Sequence, residues 1–159
     1  MITAVDTNIL LDILLDDPDF KQNSAAHLQQ QSDRGRLIIC PLVFSELLVF
    51  FLRRHAPSLA SAKVHEFFRD LDIDLVPFSD DDFTLAAEAW QKYAPLKQVQ
   101  CPSCGTEHSF SCKKCGKPLL WRNHILTDFL IGAHAQHHAD VLLTRDRGYY
   151  KKYFTVKLL

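Results

Sequence analysis

The sequence predicts an α/β fold, a parallel sheet wrapped by helices on both faces. Three observations predict it. Short apolar runs recur at Met1–Val5, Leu37–Cys40, Ile73–Phe78, Val141–Thr144 and Thr155–Leu159. Segments with helical apolar spacing lie between them, and strands alternating with helices point to parallel pairing. Acids interrupt the apolar segments where strand gives way to helix, the edge at which open α/β sheets bind ligands.

Asp6 stands at the end of the first strand. The apolar spacing of Ile9, Leu10, Ile13 and Leu14 then predicts a helix, with Thr7 or Asn8 as its cap. Pro18 breaks that pattern, and Lys21–Asp33 reads as a polar-faced helix closed by Gly35. After the second strand, Pro41 suits a first helical turn and Leu42–Arg54 is strongly apolar, with Glu46 near its start. Ser58–Asp70 reads as a helix whose core contacts are Leu59, Ala62, Phe67 and Leu71. The third strand leads to a helix capped by Ser79 or Asp80 and running through Tyr93, where Asp81 and Asp82 suit the positive end. The pattern stops at Pro95, and residues 97–121 read as an insertion. A helix resumes from about Asn123 to His138, before the fourth strand. A turn at Arg145–Gly148, a helical turn at Tyr149–Phe154 and the last strand complete the chain.

At 159 residues the chain suits one domain with a real core. No apolar run approaches the roughly 20 residues that cross a bilayer, and no basic-then-apolar leader opens the chain, so no membrane partner and a cytoplasmic location are expected. The net charge of −1 hides an uneven distribution: residues 1–96 carry 8 Lys/Arg against 15 Asp/Glu, whereas residues 97–122 carry 5 against 1. A nucleic-acid partner would therefore be held locally rather than by global charge. There is no GxGxxG and no P-loop, which argues against a dinucleotide or nucleoside-triphosphate site.

Four acids sit near strand-to-helix junctions: Asp6, Glu46, Asp128 and Asp146. Singly, an acid early in a helix complements the dipole and an acid in a turn shapes it. Together they are costly, because two carboxylates about 4 Å apart repel by about 4 kcal/mol at an effective dielectric near 20. A hard divalent cation removes that cost, and oxygen-only ligands favour Mg²⁺ or Mn²⁺ over zinc. Such an ion orients water, lowers its pKa and screens phosphate charge, which is the apparatus of phosphodiester hydrolysis.

The stretches Val5-Asp6-Thr7-Asn8-Ile9-Leu10-Leu11-Asp12, Ser45-Glu46-Leu47-Leu48, Asp128-Phe129-Leu130-Ile131-Gly132-Ala133-His134-Ala135 and Leu142-Leu143-Thr144-Arg145-Asp146-Arg147-Gly148-Tyr149-Tyr150 resemble the four motifs of PIN-domain nucleases. They are especially similar to the VapC-type toxins of bacteria and archaea. The resemblance covers nearly the whole chain outside the insertion. It implies a three-layer fold with a five-stranded parallel sheet ordered 3-2-1-4-5. It also implies a Mg²⁺/Mn²⁺-dependent endoribonuclease that leaves 5′-phosphate and 3′-hydroxyl ends. Asp6, Glu46, Asp128 and Asp146 would bind the metal or orient the attacking water, with Asn8 and Thr144 as supporting hydrogen-bond partners. Many such toxins carry another acid where this chain has Leu126, which leaves one tightly held ion as the expectation. The implied partners are an RNA substrate, a cognate antitoxin blocking the acidic cleft and a second copy of the chain, met through the surplus apolar surface of Leu42–Leu52. Two rivals keep the fold: a housekeeping RNA-processing nuclease, and a non-catalytic RNA- or protein-binding scaffold.

Of five cysteines, four form two knuckles, Cys101-Pro-Ser-Cys104 and Cys112-Lys-Lys-Cys115, seven residues apart and each followed by glycine. That spacing points to a structural Cys₄ zinc site, with redox CxxC chemistry as the rival reading and His108 as a substitute ligand that is not favoured. Structural zinc can supply about 10–16 kcal/mol, enough to fold a loop with few apolar residues of its own. Lys113, Lys114, Lys117 and Arg122 have two readings: phosphate contacts, or charges that offset a zinc–thiolate centre.

The remaining features have plainer readings. Asp12 is expected to be solvated or to pair helices. His134, His137 and His138 favour a helix C-terminal dipole. Cys40 is read as a small buried hydrophobe. Tyr149, Tyr150, Lys151 and Lys152 are expected to pack at the sheet edge rather than stack on RNA.

Overall fold

The computed structural model describes residues 1–93, 99–100, 107–108, 110–116, 118–119 and 126–159. In chain order the elements are β1 (Ile2–Val5), α1 (Thr7–Leu14), α2 (Lys21–Ser32), β2 (Arg36–Ile39), α3 (Pro41–Leu52), α4 (Pro57–Asp70), β3 (Ile73–Leu75) and α5 (Asp80–Tyr93). Four two-residue strands follow: β4 (Val99–Gln100), β5 (Glu107–His108), β6 (Phe110–Ser111) and β7 (Pro118–Leu119). The chain ends with α6 (Leu126–His138), β8 (Val141–Leu143), α7 (Arg147–Tyr153) and β9 (Lys157–Leu158).

The main sheet has five strands in the order β3-β2-β1-β8-β9, every pair parallel. Counting only its own strands, this is 3-2-1-4-5; the short strands β4–β7 account for the higher numbers of the last two. They form two separate antiparallel pairs, β4–β5 and β6–β7. In the main sheet, β1 pairs with β2 in the register Thr3↔Leu37 and with β8 in the register Thr3↔Val141. The path from β1 to β3 runs one way across the sheet and the path from β8 to β9 runs the other. Right-handed crossovers therefore put α1–α4 and α5–α7 on opposite faces. The direction reverses between β1 and β8, so the crevice for a ligand opens at their carboxyl ends.

The central strands read as continuous apolar runs because both faces are covered. Thr3, Ala4, Val5, Leu37, Ile38, Ile39, Leu142 and Leu143 are all buried. On one face α3 and α4 pack through Val43, Leu47, Ala60, Val64 and Phe68, with the Phe44 and Phe68 rings 5.9 Å apart. On the other face Phe129 of α6 is enclosed by the rings of Trp90, Tyr93, Tyr153 and Phe154. Gly132, one turn further along α6, is where Phe154 lies; a Cβ there would meet that ring at 2.3 Å. Phe154 is buried and cannot swing out, so Gly132→Ala is expected to destabilise the protein by about 1–3 kcal/mol, read as a lower midpoint in urea at unchanged slope.

Several boundaries differ from the sequence reading, each for a local reason. Asp6 itself caps α1, its carboxylate accepting from the Thr7 N–H, so Thr7 is already helical. β3 ends at Leu75, two residues before Pro77, which has no N–H to donate. The buried stripe of α4 is Ala60, Val64 and Phe68, while Leu59 is exposed and Phe67 and Leu71 are half-buried. Apolar spacing admits either of two neighbouring stripes; the neighbour α3 chooses. Lys157–Leu158 is shorter than the expected last strand, and α7 starts two residues earlier than expected, at Arg147. Gly35 does stand beyond the end of α2, at φ +157, and a Cβ there would lie 2.1 Å from the Met1 carbonyl oxygen. Among the described residues no helix is long and apolar enough to cross a membrane.

Candidate active site

The reversal point of the sheet is occupied by Asp6, at the carboxyl end of β1. Its backbone N–H donates to the Leu143 carbonyl (3.0 Å), which ties it to β8. Its side chain is buried and wrapped by short-range donors. Oδ1 accepts from the Thr7 N–H (2.8 Å), while Oδ2 accepts from Asn8 Nδ2 (2.7 Å) and Thr144 Oγ1 (2.6 Å). Thr144 Oγ1 in turn accepts from the Asp146 N–H at 3.0 Å, and Asn8 Oδ1 accepts from the Arg145 N–H at 3.3 Å. The Thr144–Asp146 loop after β8 is thus sewn to the start of α1. Local sequence makes this possible: Asn8 is one residue into the helix, and Thr144 follows a fully buried strand.

Glu46 reaches the same edge from the second turn of α3, where the Thr7 hydroxyl donates to it. Asp128, half-buried, lies in the first turn of α6. Asp146, also half-buried, stands at the N-cap of α7. The electrostatics link three of the four. Burial pushes the Asp6 carboxyl up to about 6, against the pull of its Thr144 and Thr7 hydrogen bonds, and the charges of Glu46 and Asp128 push it further. Burial also raises the Cys40 thiol to about 11, with Asp6 and Glu46 contributing, so Cys40 is an inert buried thiol.

The donor set is oxygen-only, which suits a hard divalent cation. A buried carboxylate whose ionisation its own neighbours oppose is the observation that fits one. Among the described residues no group of three or more His, Cys, Asp or Glu side chains stands ready to hold a metal ion as placed.

Other predicted residues fall elsewhere. Asp12 is not solvated: it is buried, accepts from Ser24 Oγ of α2 (2.6 Å) and pairs with Arg145 Nη2 (2.9 Å). It does join helices. His137 and His138 do more than face a dipole. His137 Nδ1 lies 2.7 Å and His138 Nε2 2.9 Å from the two oxygens of Asp82, whose side chain is wholly buried at the start of α5. Ser79 and Asp82 also form a reciprocal cap, an arrangement that their spacing could have announced. Burial lifts the Asp82 carboxyl, but hydrogen bonds from Ser79, His137 and His138 outweigh that and hold it at about 2. His134 is buried with Nε2 3.0 Å from the Val76 carbonyl, and burial with the nearby His138 lowers it to about 4. Tyr150 is buried, and Lys151 and Lys152 are exposed; the Tyr149 side chain lies outside the described residues.

In the insertion, Cys112 and Cys115 are free thiols, Gly116 has φ +69 and its N–H reaches the Cys112 carbonyl at 2.8 Å. The Cys112 thiol is lowered by N–H groups of Cys115 and Lys114. Lys113 and Lys114 are exposed. Cys101, Cys104, Lys117 and Arg122 lie outside the described residues, as does the His108 side chain.

A parallel sheet ordered 3-2-1-4-5 with a buried carboxyl, Asp6, at its reversal point defines a class of α/β domain, and known proteins identify it. The sequence model of the PIN domain matches residues 3–155, and the chain belongs to the PIN-domain family. No curated protein matches by sequence. Among solved structures the chain is similar to one from VapBC2 of Rickettsia felis, bound to a DNA fragment from their promoter. The TM-score is 0.65 at 19% identity, over 100% of this chain and 98% of that one. It is also similar to a chain of DNA-bound VapBC from Salmonella typhimurium, at TM-score 0.64 and 14% identity, covering 100% and 97%. A chain of FitAB bound to an IR36 DNA fragment aligns at TM-score 0.61 and 18% identity, covering 100% and 94%.

Proposed function

We propose that the chain is a divalent-metal-dependent endoribonuclease, the toxin of a type II toxin–antitoxin pair. The observation that carries this reading is Asp6: a buried carboxyl at about 6, held by Asn8 and Thr144, with Glu46 and Asp128 opposing its charge. Asp6, Glu46, Asp128 and Asp146 would hold Mg²⁺ or Mn²⁺, and the ion when bound supplies an activated water and screens the scissile phosphate. Thr144 and Asn8 fix the Asp6 carboxylate in one orientation. Thr7 does the same for Glu46. The products carry 5′-phosphate and 3′-hydroxyl ends.

The insertion supports this site without sharing its chemistry. Cys112 and Cys115, with Cys101 and Cys104, would form a structural zinc centre. The thiolate-favouring N–H groups at Cys112 and the left-handed Gly116 turn are what support it. The exposed Lys113 and Lys114 are proposed RNA contacts. For the antitoxin, the fitting surface is a groove of about 660 Å³ that begins at Thr7 and Glu46 and runs past Leu11, Leu15 and Val49 to Arg53. It would seat an apolar segment and cover Glu46. Exposed Leu52 and Leu59 leave apolar surface for a second copy.

The test is cleavage of single-stranded RNA with Mn²⁺, with 5′ ends mapped and zinc measured on the purified chain. Expected are Mn²⁺-dependent 5′-phosphate products, loss of cleavage in Asp6→Asn and Asp128→Asn, and about one zinc per chain that Cys112→Ser releases. Cleavage that survives both acid substitutions would end the reading of the site. A chain that binds no zinc would end the reading of the insertion.

A further inference from the structure

On the far side of the Thr144 loop from Glu46 lies a second hollow, about 410 Å³ in volume, which the proposed chemistry does not use. One wall is the loop after β8, with Thr144, Arg145 and Arg147; the other is Phe20, Asn23 and His27, which share one face at the start of α2. The two walls are tied together. Arg145 Nη2 lies 2.9 Å from Asp12, its guanidinium sits 4.1 Å over the Phe20 ring, and Asp12 holds Ser24 of α2. Arg145 is therefore a fixed, already neutralised strut. Arg147 differs: it is exposed and carries no ion pair among the described residues. Asn23 and His27, both exposed, offer an amide and an imidazole toward the same space, and no Asp or Glu side chain lines it.

Two features give this hollow a ligand class. Its polar lining combines guanidinium, imidazole, amide and hydroxyl groups with no Asp or Glu side chain, beside apolar Ile9, Phe20, Leu143 and Leu159, a set matched to a phosphodiester together with the edge and face of a base. It also shares a wall with the acidic cleft: Thr144 borders the hollow, and its Oγ1 lies 2.6 Å from Asp6. Its volume is in the range of small-ligand pockets.

We propose that this hollow seats one nucleotide of the bound RNA strand, beside the scissile phosphate. Arg147 meets its phosphate, and Asn23 with His27 meets its base. The proposal rests on the endoribonuclease reading and names where substrate choice is made within it. Arg147 and Asn23 act by holding the strand, so they change KM and cut-site preference, not the chemical step.

The experiment uses the full chain, Mn²⁺ and a pool of random single-stranded oligoribonucleotides of about 12 nucleotides. Arg147→Ala is expected to raise KM about tenfold with kcat within about twofold, and to reduce the slope of log KM against log salt by about 0.7. Asn23→Ala is expected to flatten base preference at one fixed position flanking the cut. Wild-type cleavage with KM, salt slope and cut map unchanged in both variants would overturn the nucleotide seat and leave the nuclease reading standing. So would a loss confined to kcat. If the wild-type chain cuts no RNA, the nuclease reading fails instead, and anisotropy of a labelled member of the same pool decides the seat. Weaker binding by Arg147→Glu upholds it, and unchanged binding overturns it.

Discussion

Asp6→Asn is expected to abolish RNA cleavage and yet to stabilise the metal-free protein by about 1–3 kcal/mol at pH 7. The carboxyl titrates near 3.8 in an unfolded chain and at about 6 here. Between those values the native state holds the extra proton, so stability falls as pH rises through that window, and the full cost is present at neutral pH. The gap corresponds to about 3 kcal/mol, from which the weaker hydrogen bonds of a neutral acceptor to Thr7 and Thr144 must be subtracted. His134 contributes in the opposite sense. Lowered to about 4 from 6.5, it binds fewer protons in the native state, so its contribution grows as pH rises through that range. In the wild type the two offset one another over about pH 4–6; in Asp6→Asn the His134 slope is left exposed. Urea melts of both proteins from pH 3.5 to 7.5 in chelator check this. Saturating Mn²⁺ should then raise the wild-type midpoint and leave the variant unmoved. A variant less stable than wild type at pH 7 would show that Asp6 is a structural cap and not a strained ligand.

The second large effect is expected at the other end of α6. Asp82→Ala should cost about 3 kcal/mol, because it removes the common acceptor of His137, His138 and the Ser79 N–H. Breaking a buried pair costs about 3–5 kcal/mol; His137 and His138 remain 34% and 27% exposed, which keeps the figure at the low end. The sign with pH follows from a carboxyl held at about 2 against an ordinary 3.8. Its contribution is complete above about pH 4 and is lost as pH falls toward 2, so the variant and the wild type should converge in acid. Cleavage by the folded fraction should survive, since His137 and His138 stand at the opposite end of α6 from Asp128. Equal stability of the two proteins at pH 7 would remove Asp82 as the tie between α5 and α6.

Much of the architecture was legible because it follows from chain-local rules. Continuous apolar runs at β1, β2 and β8 announce strands covered on both faces, and Pro41 announces the start of α3. The parallel pairing and the placing of Asp6 at the end of β1 come from the same source. What was not legible depends on which neighbour a side chain meets. Asp82 and the three histidines were each read as dipole partners, and nothing in the sequence links Asp82 to His137, 55 positions further on. Arg145 was read as part of a turn, whereas it braces Asp12 and Phe20. The buried stripe of α4 was placed one residue out, since Leu59 is larger and more apolar than Ala60 and only packing against α3 reveals that Ala60 is the one buried.

By itself the sequence determined the kind of elements, their order and the acids that end them, because strand and helix periodicity, proline and capping are encoded within a few residues. Only the tertiary structure decided that Asn8 and Thr144, 136 positions apart, would clasp one carboxylate, and that Glu46 and Asp128 would oppose its charge. Burial and Coulomb energy depend on distance in space, and that distance is set by how the sheet reverses between β1 and β8.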